Sequence, residues 1–194
     1  MFELIQLIQS FDFYIILQIY QTGGISFIDT VAVLFSYAGS LRLGALFLCL
    51  FFWMKKETRP ITFILFSAVL LSAGITWIIK EIIDRPRPYI ELGLTAADML
   101  IRTDPTVSFP SGHTATAFTT ATVVARYFKK WAIPALFLAC LAGLSRIYLL
   151  VHYPSDVVAG ALIGIMSAVF VIYFYQKIIQ RMENEKLKIP FFEK

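Results

Sequence analysis

The amino-acid sequence predicts an all-α polytopic membrane helix bundle, and three observations lead there. Of its 194 residues, 58% are hydrophobic and 15% charged, a balance that ordinary water-soluble domains do not reach. Several apolar stretches approach the roughly 20 residues that a helix needs to cross a bilayer. Eighteen Phe, nine Tyr and three Trp give more apolar surface to bury than a disordered chain carries. A net charge of +4 is too small to point to a nucleic-acid partner. Cys49 and Cys140 both sit in apolar runs, so neither a disulfide framework nor a zinc site is expected from them.

The start Met1-Phe2-Glu3 has no basic n-region and no small-residue cleavage site follows it, so no removable signal peptide is expected. Between residues 2 and 21, Glu3, Gln6, Gln9, Asp12, Gln18 and Gln21 interrupt the apolar positions often enough to make a polar face. That pattern predicts a helix lying in the membrane interface over 1–24. Residues 25–54 predict a long first span bent near Gly39, with Asp29 close to its start and Arg42 deep inside. Stretches 61–80, 112–128, 131–150 and 157–176 supply four more, which makes five transmembrane helices, or six if residues 2–21 also cross. The last stretch carries no charge, and its Gly160 and Gly164, four apart, let another helix approach closely. The whole chain, 1–194, reads as one membrane domain: the interfacial helix, a bundle over 25–176 and a polar tail over 177–194.

Basic residues orient the bundle. Lys55, Lys56 and Arg59 share one loop, Arg126, Lys129 and Lys130 another, and Lys177, Arg181, Lys186, Lys188 and Lys194 the tail. Alternating spans put all three segments on one face, which the positive-inside rule makes cytoplasmic. The opposite, external face of the cell membrane then receives the loop 89–109 and three short polar segments. These are Lys80-EIIDRP-Arg87-Pro88, Pro110-Ser111-Gly112-His113 and Ser145-Arg146-IYLLV-His152-YPS-Asp156. Their basic residues break the positive-inside trend, and a charge kept against an insertion preference near hydrocarbon has a partner or a task.

Lys80, Arg87 and Arg146 around one point suit an anion with several oxygens, because Arg offers a planar fork of donors and Lys a compact point charge. Ser111 suits the N-cap of the following helix, and Gly112 lets backbone N–H groups come close to the same anion. A phosphate fits that cradle. His113 and His152 are the two histidines of the chain, and both fall in these segments. One can attack phosphorus while the other protonates the leaving oxygen, if the attacker's other ring nitrogen meets an acceptor. Asp156, four residues after His152 and in the first turn of a helix opened by Pro154, can be that acceptor. Taken singly, Lys80, Arg85 and Arg87 read as interfacial anchors and His152 with Asp156 as a helical pair. Taken together they place every histidine in three segments on one face, which separate anchors do not explain. No external carboxylate cluster that could hold two metal ions accompanies them.

The pattern K-x6-RP, PSGH, SR-x5-H-x3-D, matched here at Lys80, Arg87, Pro88, Pro110 to His113, Ser145, Arg146, His152 and Asp156, resembles the signature of the type 2 phosphatidic acid phosphatase superfamily. The resemblance implies that His152 is a nucleophile forming a phosphohistidine, Asp156 its partner and His113 the general acid. It further implies that Lys80, Arg87, Ser111, Gly112 and Arg146 bind phosphate, with no cofactor and no metal. Arg42 lies outside that signature, and reaches the same pocket, pairs with Asp29 or snorkels along a bent helix. The implied activity is hydrolysis of a lipid phosphate, with lipid phosphate and membrane lipids as the partners. Similarity to short bacterial members favours undecaprenyl pyrophosphate, with phosphatidylglycerol phosphate and phosphatidate as alternatives. The vanadium haloperoxidases of the same superfamily are soluble, unlike this chain. A non-catalytic headgroup binder or transporter would not need the pair His152 and Asp156.

Overall fold

The structure, a computed structural model, describes residues 2–38, 42–101 and 107–186. The helices are α1 (Phe2–Thr22), α2 (Ser26–Ala38), α3 (Arg42–Trp53), α4 (Arg59–Ile82), the short α5 (Pro88–Glu91), α6 (Gly112–Tyr127), α7 (Ala132–Tyr148) and α8 (Pro154–Lys186). Single 3₁₀ turns at Lys56–Thr58, Ala96–Asp98 and Lys129–Trp131 join them. No strand occurs among the described residues.

Helix α6 lies at the centre and packs on α4, α7 and α8. Thr114, Ala115, Thr116, Ala117, Thr119, Thr120, Ala121 and Val123 are all buried, so the helix is enclosed on nearly every side. Small residues permit this. A Cβ added to Gly160 would stand 2.5 Å from the Ser111 carbonyl oxygen, and one on Gly164 would stand 2.2 Å from that of Ala115. The α6 and α8 backbones touch there, as the spacing of the two glycines predicts. Three threonine hydroxyls of α6 are satisfied within the helix: Thr116, Thr119 and Thr122 donate to the carbonyls of Gly112, Ala115 and Phe118, the back-bonding that lets hydroxyls enter an apolar bundle.

The outer surface is apolar. Phe66, Leu70 and Trp77 of α4, Ile133 and Phe137 of α7, and Met166 and Phe170 of α8 are all exposed, a surface that suits lipid and not water. Among the described residues, Lys56–Ile82, Lys129–Tyr148 and Pro154–Met182 are long and apolar enough to cross a membrane. Over 25–54, where a long bent span is expected, the described residues form α2 and α3. Residues 39–41, with the expected bend at Gly39, lie outside the described residues, as does the side chain of Arg42. Helix α8 continues to Lys186, taking in residues that the sequence assigns to a polar tail.

Helix α1 differs from a purely interfacial element. Leu4, Leu7, Phe11 and Tyr14 face outward, whereas Ile16 is fully buried against Ile147 and Tyr153. Asp12, expected on a wet polar face, is 1% exposed. The physical reason is a partner inside the protein, described below.

Candidate active site

Antiparallel neighbours bring the C-terminal ends of α4 and α7 and the N-terminal ends of α6 and α8 to one end of the bundle, and every sequence-predicted site residue is there. Lys80 occupies the last turn of α4, Arg87 precedes α5, Ser111 caps α6, Gly112 and His113 open it, Arg146 ends α7, His152 lies in the turn and Asp156 begins α8.

The corner between α7 and α8 sets the position of His152. Leu150 takes the left-handed conformation at φ 57°; its N–H donates to Ile147 O and the Val151 N–H to Arg146 O, at 2.9 and 3.2 Å. This is a Schellman ending with leucine where glycine is usual. The same carbonyl of Arg146 accepts the His152 N–H at 3.2 Å, so the imidazole is returned toward the arginine that precedes it by six residues. Arg87 clamps the turn by donating from Nη1 to the Val151 carbonyl at 3.0 Å. The Tyr89 N–H donates to Leu150 O at 3.1 Å.

Asp156 stands at the hub of the site and is fully buried. Its Oδ2 accepts the Tyr153 N–H at 2.9 Å, which caps α8 from within its first turn. Its backbone carbonyl accepts the Ser111 N–H at 3.0 Å, joining the ends of α6 and α8. The same Oδ2 lies 3.4 Å from His152 Nδ1. Nδ1 is buried and makes no hydrogen bond among the described residues.

Three cations surround the imidazole. Burial first, then Arg87, Arg146 and Lys80, push His152 well below the ordinary 6.5, against an opposing contribution from the Ser108 backbone. The free imidazole is therefore neutral at physiological pH, the form that can attack. Lys80 Nζ donates to Val107 O at 2.6 Å. Arg146 is 6% exposed, holds Ser36 Oγ of α2 with Nη1, and keeps a buried Nε without a partner among the described residues.

Sequence reasoning missed three contributors. Arg85, read above as a lipid anchor, instead donates from Nη1 to Asp156 Oδ1 and from Nη2 to Asp12 Oδ2, both at 2.8 Å. Charge on the face that the positive-inside rule leaves poor in cations was the available signal. Asp12 is the second, and a carboxylate in the middle of a row of glutamines marked it. Ser36 carries no signal in the sequence. Asp29, considered above as a partner for Arg42, accepts the Tyr148 hydroxyl at 2.6 Å. Arg102 and Asp104 of the loop 89–109 lie outside the described residues.

The family model of the PAP2 superfamily matches residues 61–180. The bacitracin transport permease protein BcrC of Bacillus licheniformis is 30% identical over 156 residues, which cover 71% of this chain and 74% of that one. The putative undecaprenyl-diphosphatase YbjG of Escherichia coli strain K12 is 28% identical over 145 residues, 70% of this chain and 69% of that one. The crystal structure of Aquifex aeolicus LpxE superposes with a TM-score of 0.71 at 29% identity, covering 84% of this chain and 95% of that one.

Proposed function

The chain belongs to the PAP2 superfamily, and from that footing we propose that it is an integral-membrane lipid phosphate phosphatase working through a phosphohistidine on His152. The observation that carries the reading is His152 itself: a buried, neutral imidazole ringed by Arg87, Arg146 and Lys80, with the Asp156 carboxylate 3.4 Å behind its Nδ1.

Nε2 of His152 attacks phosphorus, and the bond to the leaving oxygen breaks as His113, on the first turn of α6, protonates that oxygen. Asp156 holds the tautomer with the proton on Nδ1 and stabilises the positive charge that the ring acquires. Lys80, Arg87 and Arg146, with the N–H groups that open α6 beside Ser111 and Gly112, hold the equatorial oxygens as charge builds on them. Water then cleaves the phosphorus–nitrogen bond, releasing inorganic phosphate and restoring neutral His152. Three fixed cations supply the charge stabilisation that a metal ion supplies elsewhere, so the reaction is metal-independent.

Undecaprenyl pyrophosphate is the favoured substrate, supported by relatives named undecaprenyl-diphosphatase at comparable identity. The active site faces outward from the cell membrane, a reading supported by the basic loops and tail at the other end, with five crossings at 25–54, 61–80, 112–128, 131–150 and 157–176. The test is phosphate release by detergent-solubilised protein from undecaprenyl pyrophosphate, phosphatidylglycerol phosphate and phosphatidate, compared as kcat/KM in EDTA. The expected result is turnover of all three with the pyrophosphate ahead, and none by His152→Ala. Turnover by His152→Ala, or activity that returns after EDTA with Mg²⁺ alone, contradicts the mechanism.

A further inference from the structure

Four side chains stand in series behind the phosphate site. Asp12 of α1 meets Arg85, Arg85 meets Asp156, and Asp156 meets His152. Asp12 is 1% exposed and Asp156 fully buried. Arg85 offers a different nitrogen to each carboxylate, the planar two-address geometry that lysine does not have. Its guanidinium carbon lies 3.8 Å from the ring centroid of Tyr153, which blocks rotation out of plane. Asp12 reaches further still: Oδ1 accepts the Ser155 N–H at 3.0 Å and Oδ2 meets the Ser155 hydroxyl, which also accepts from Arg85 at 2.8 Å. Asp12 thus caps α8 from another helix, satisfying an N–H of the first turn that α8 cannot satisfy itself.

We propose that Asp12 and Arg85 are positioning residues, a strut through which α1 fixes the carboxylate that orients the nucleophile. The proposal rests on the phosphatase reading above and adds a task for α1. Asp156 can turn about its Cβ–Cγ bond unless both oxygens are held. The Tyr153 N–H holds Oδ2 and Arg85 holds Oδ1, so Oδ2 stays aimed at His152 Nδ1. Without Asp12, Arg85 keeps its contact with Asp156 but loses the anchor on its other side. Neither residue has to touch substrate for this to work. Displacement of the reacting atoms by about 1 Å costs on the order of a hundredfold in rate.

Asp12→Asn is the mild variant, because it keeps an acceptor for the Ser155 N–H and leaves Arg85 and Asp156 as a one-to-one pair. Arg85→Lys keeps the charge but not the fork. In the full-length detergent-solubilised protein, each should lower kcat about tenfold or more, with KM and the Kd for inorganic phosphate unchanged within about threefold. The double variant should be no slower than Arg85→Lys alone, because Asp12 acts through Arg85. Losses that multiply, a weakened affinity for inorganic phosphate with kcat retained, or wild-type kcat in both single variants would each overturn the strut. Wild-type protein that releases no phosphate from any lipid would instead remove the phosphatase reading.

Discussion

In the proposed mechanism His152 has to be neutral to attack and must become cationic as it does so, and its surroundings serve both demands. Burial and three cations hold the free imidazole well below 6.5. For a base whose pKa is lowered, the neutral form persists as the solution is acidified and is lost when pH falls through the lowered value. The acid limb of kcat/KM should therefore lie below pH 6.5; a limb at or above that value assigns the limiting ionisation to a more exposed group. Asp156 supplies the second demand, opposing the new positive charge at Nδ1. Asp156→Asn should remain folded, because an amide oxygen can still accept the Tyr153 N–H, yet lose on the order of 10⁴ in kcat through the wrong tautomer. Near-wild-type turnover by a folded Asp156→Asn protein would show that orientation does not limit the rate. The positions of His113, His152 and Asp156 were legible because their residue types are scarce and their spacing is fixed. Arg85 was not, since its partners come from helices 73 and 71 residues away, and no local pattern records a tertiary pair. Ser36 behind Arg146 was hidden for the same reason.

Helix α6 against α8 shows what a small-residue spacing commits a fold to. Backbone atoms, not flexible side-chain ends, oppose the missing Cβ of Gly160 and Gly164. Gly160→Ala or Gly164→Ala must push the two helices apart, at about 1–3 kcal/mol each. Because the Gly160 contact is the carbonyl of Ser111, the same change displaces the phosphate cradle. Thermal unfolding in detergent should show the loss of stability, and phosphate release a larger loss of activity for Gly160→Ala. Gly74→Ala is the control: nothing lies within 4 Å of its would-be Cβ, so the added helix propensity should be neutral or stabilising by up to about 1 kcal/mol. A Gly160→Ala protein as stable and active as the Gly74→Ala control would mean that the helices do not meet so closely. The sequence announced this contact plainly. It concealed the end of α7, where Leu150 takes the place of the glycine that normally marks a Schellman ending, and so residues 131–150 read as helix two residues too far.

At the scale of the molecule, hydropathy and basic residues gave the all-helical membrane architecture, and span alternation gathered the three polar segments at one end. The topology they imply can be checked by labelling single cysteines in a background lacking Cys49 and Cys140. An impermeant reagent added outside cells should modify Asp98→Cys and spare Phe128→Cys; the reverse pattern inverts the orientation. Helix α6 stands apart from the other expected spans, because it buries threonine and alanine inside the protein rather than showing leucine to lipid. At 16 residues its length is about 24 Å, short of a hydrocarbon core of about 30 Å. That enclosure has a consequence for biosynthesis. A nascent helix partitions into the bilayer by its own apolarity, and α6 has little to offer until α4, α7 and α8 surround it. Its entry must be cooperative, with the emerging α7 and α8 drawing it in late. Chains truncated at residue 130 should therefore leave α6 poorly retained in the membrane, and chains extended through residue 186 should retain it, as read by a glycosylation tag on either side. Stable retention of the 1–130 fragment would mean that α6 inserts without its neighbours.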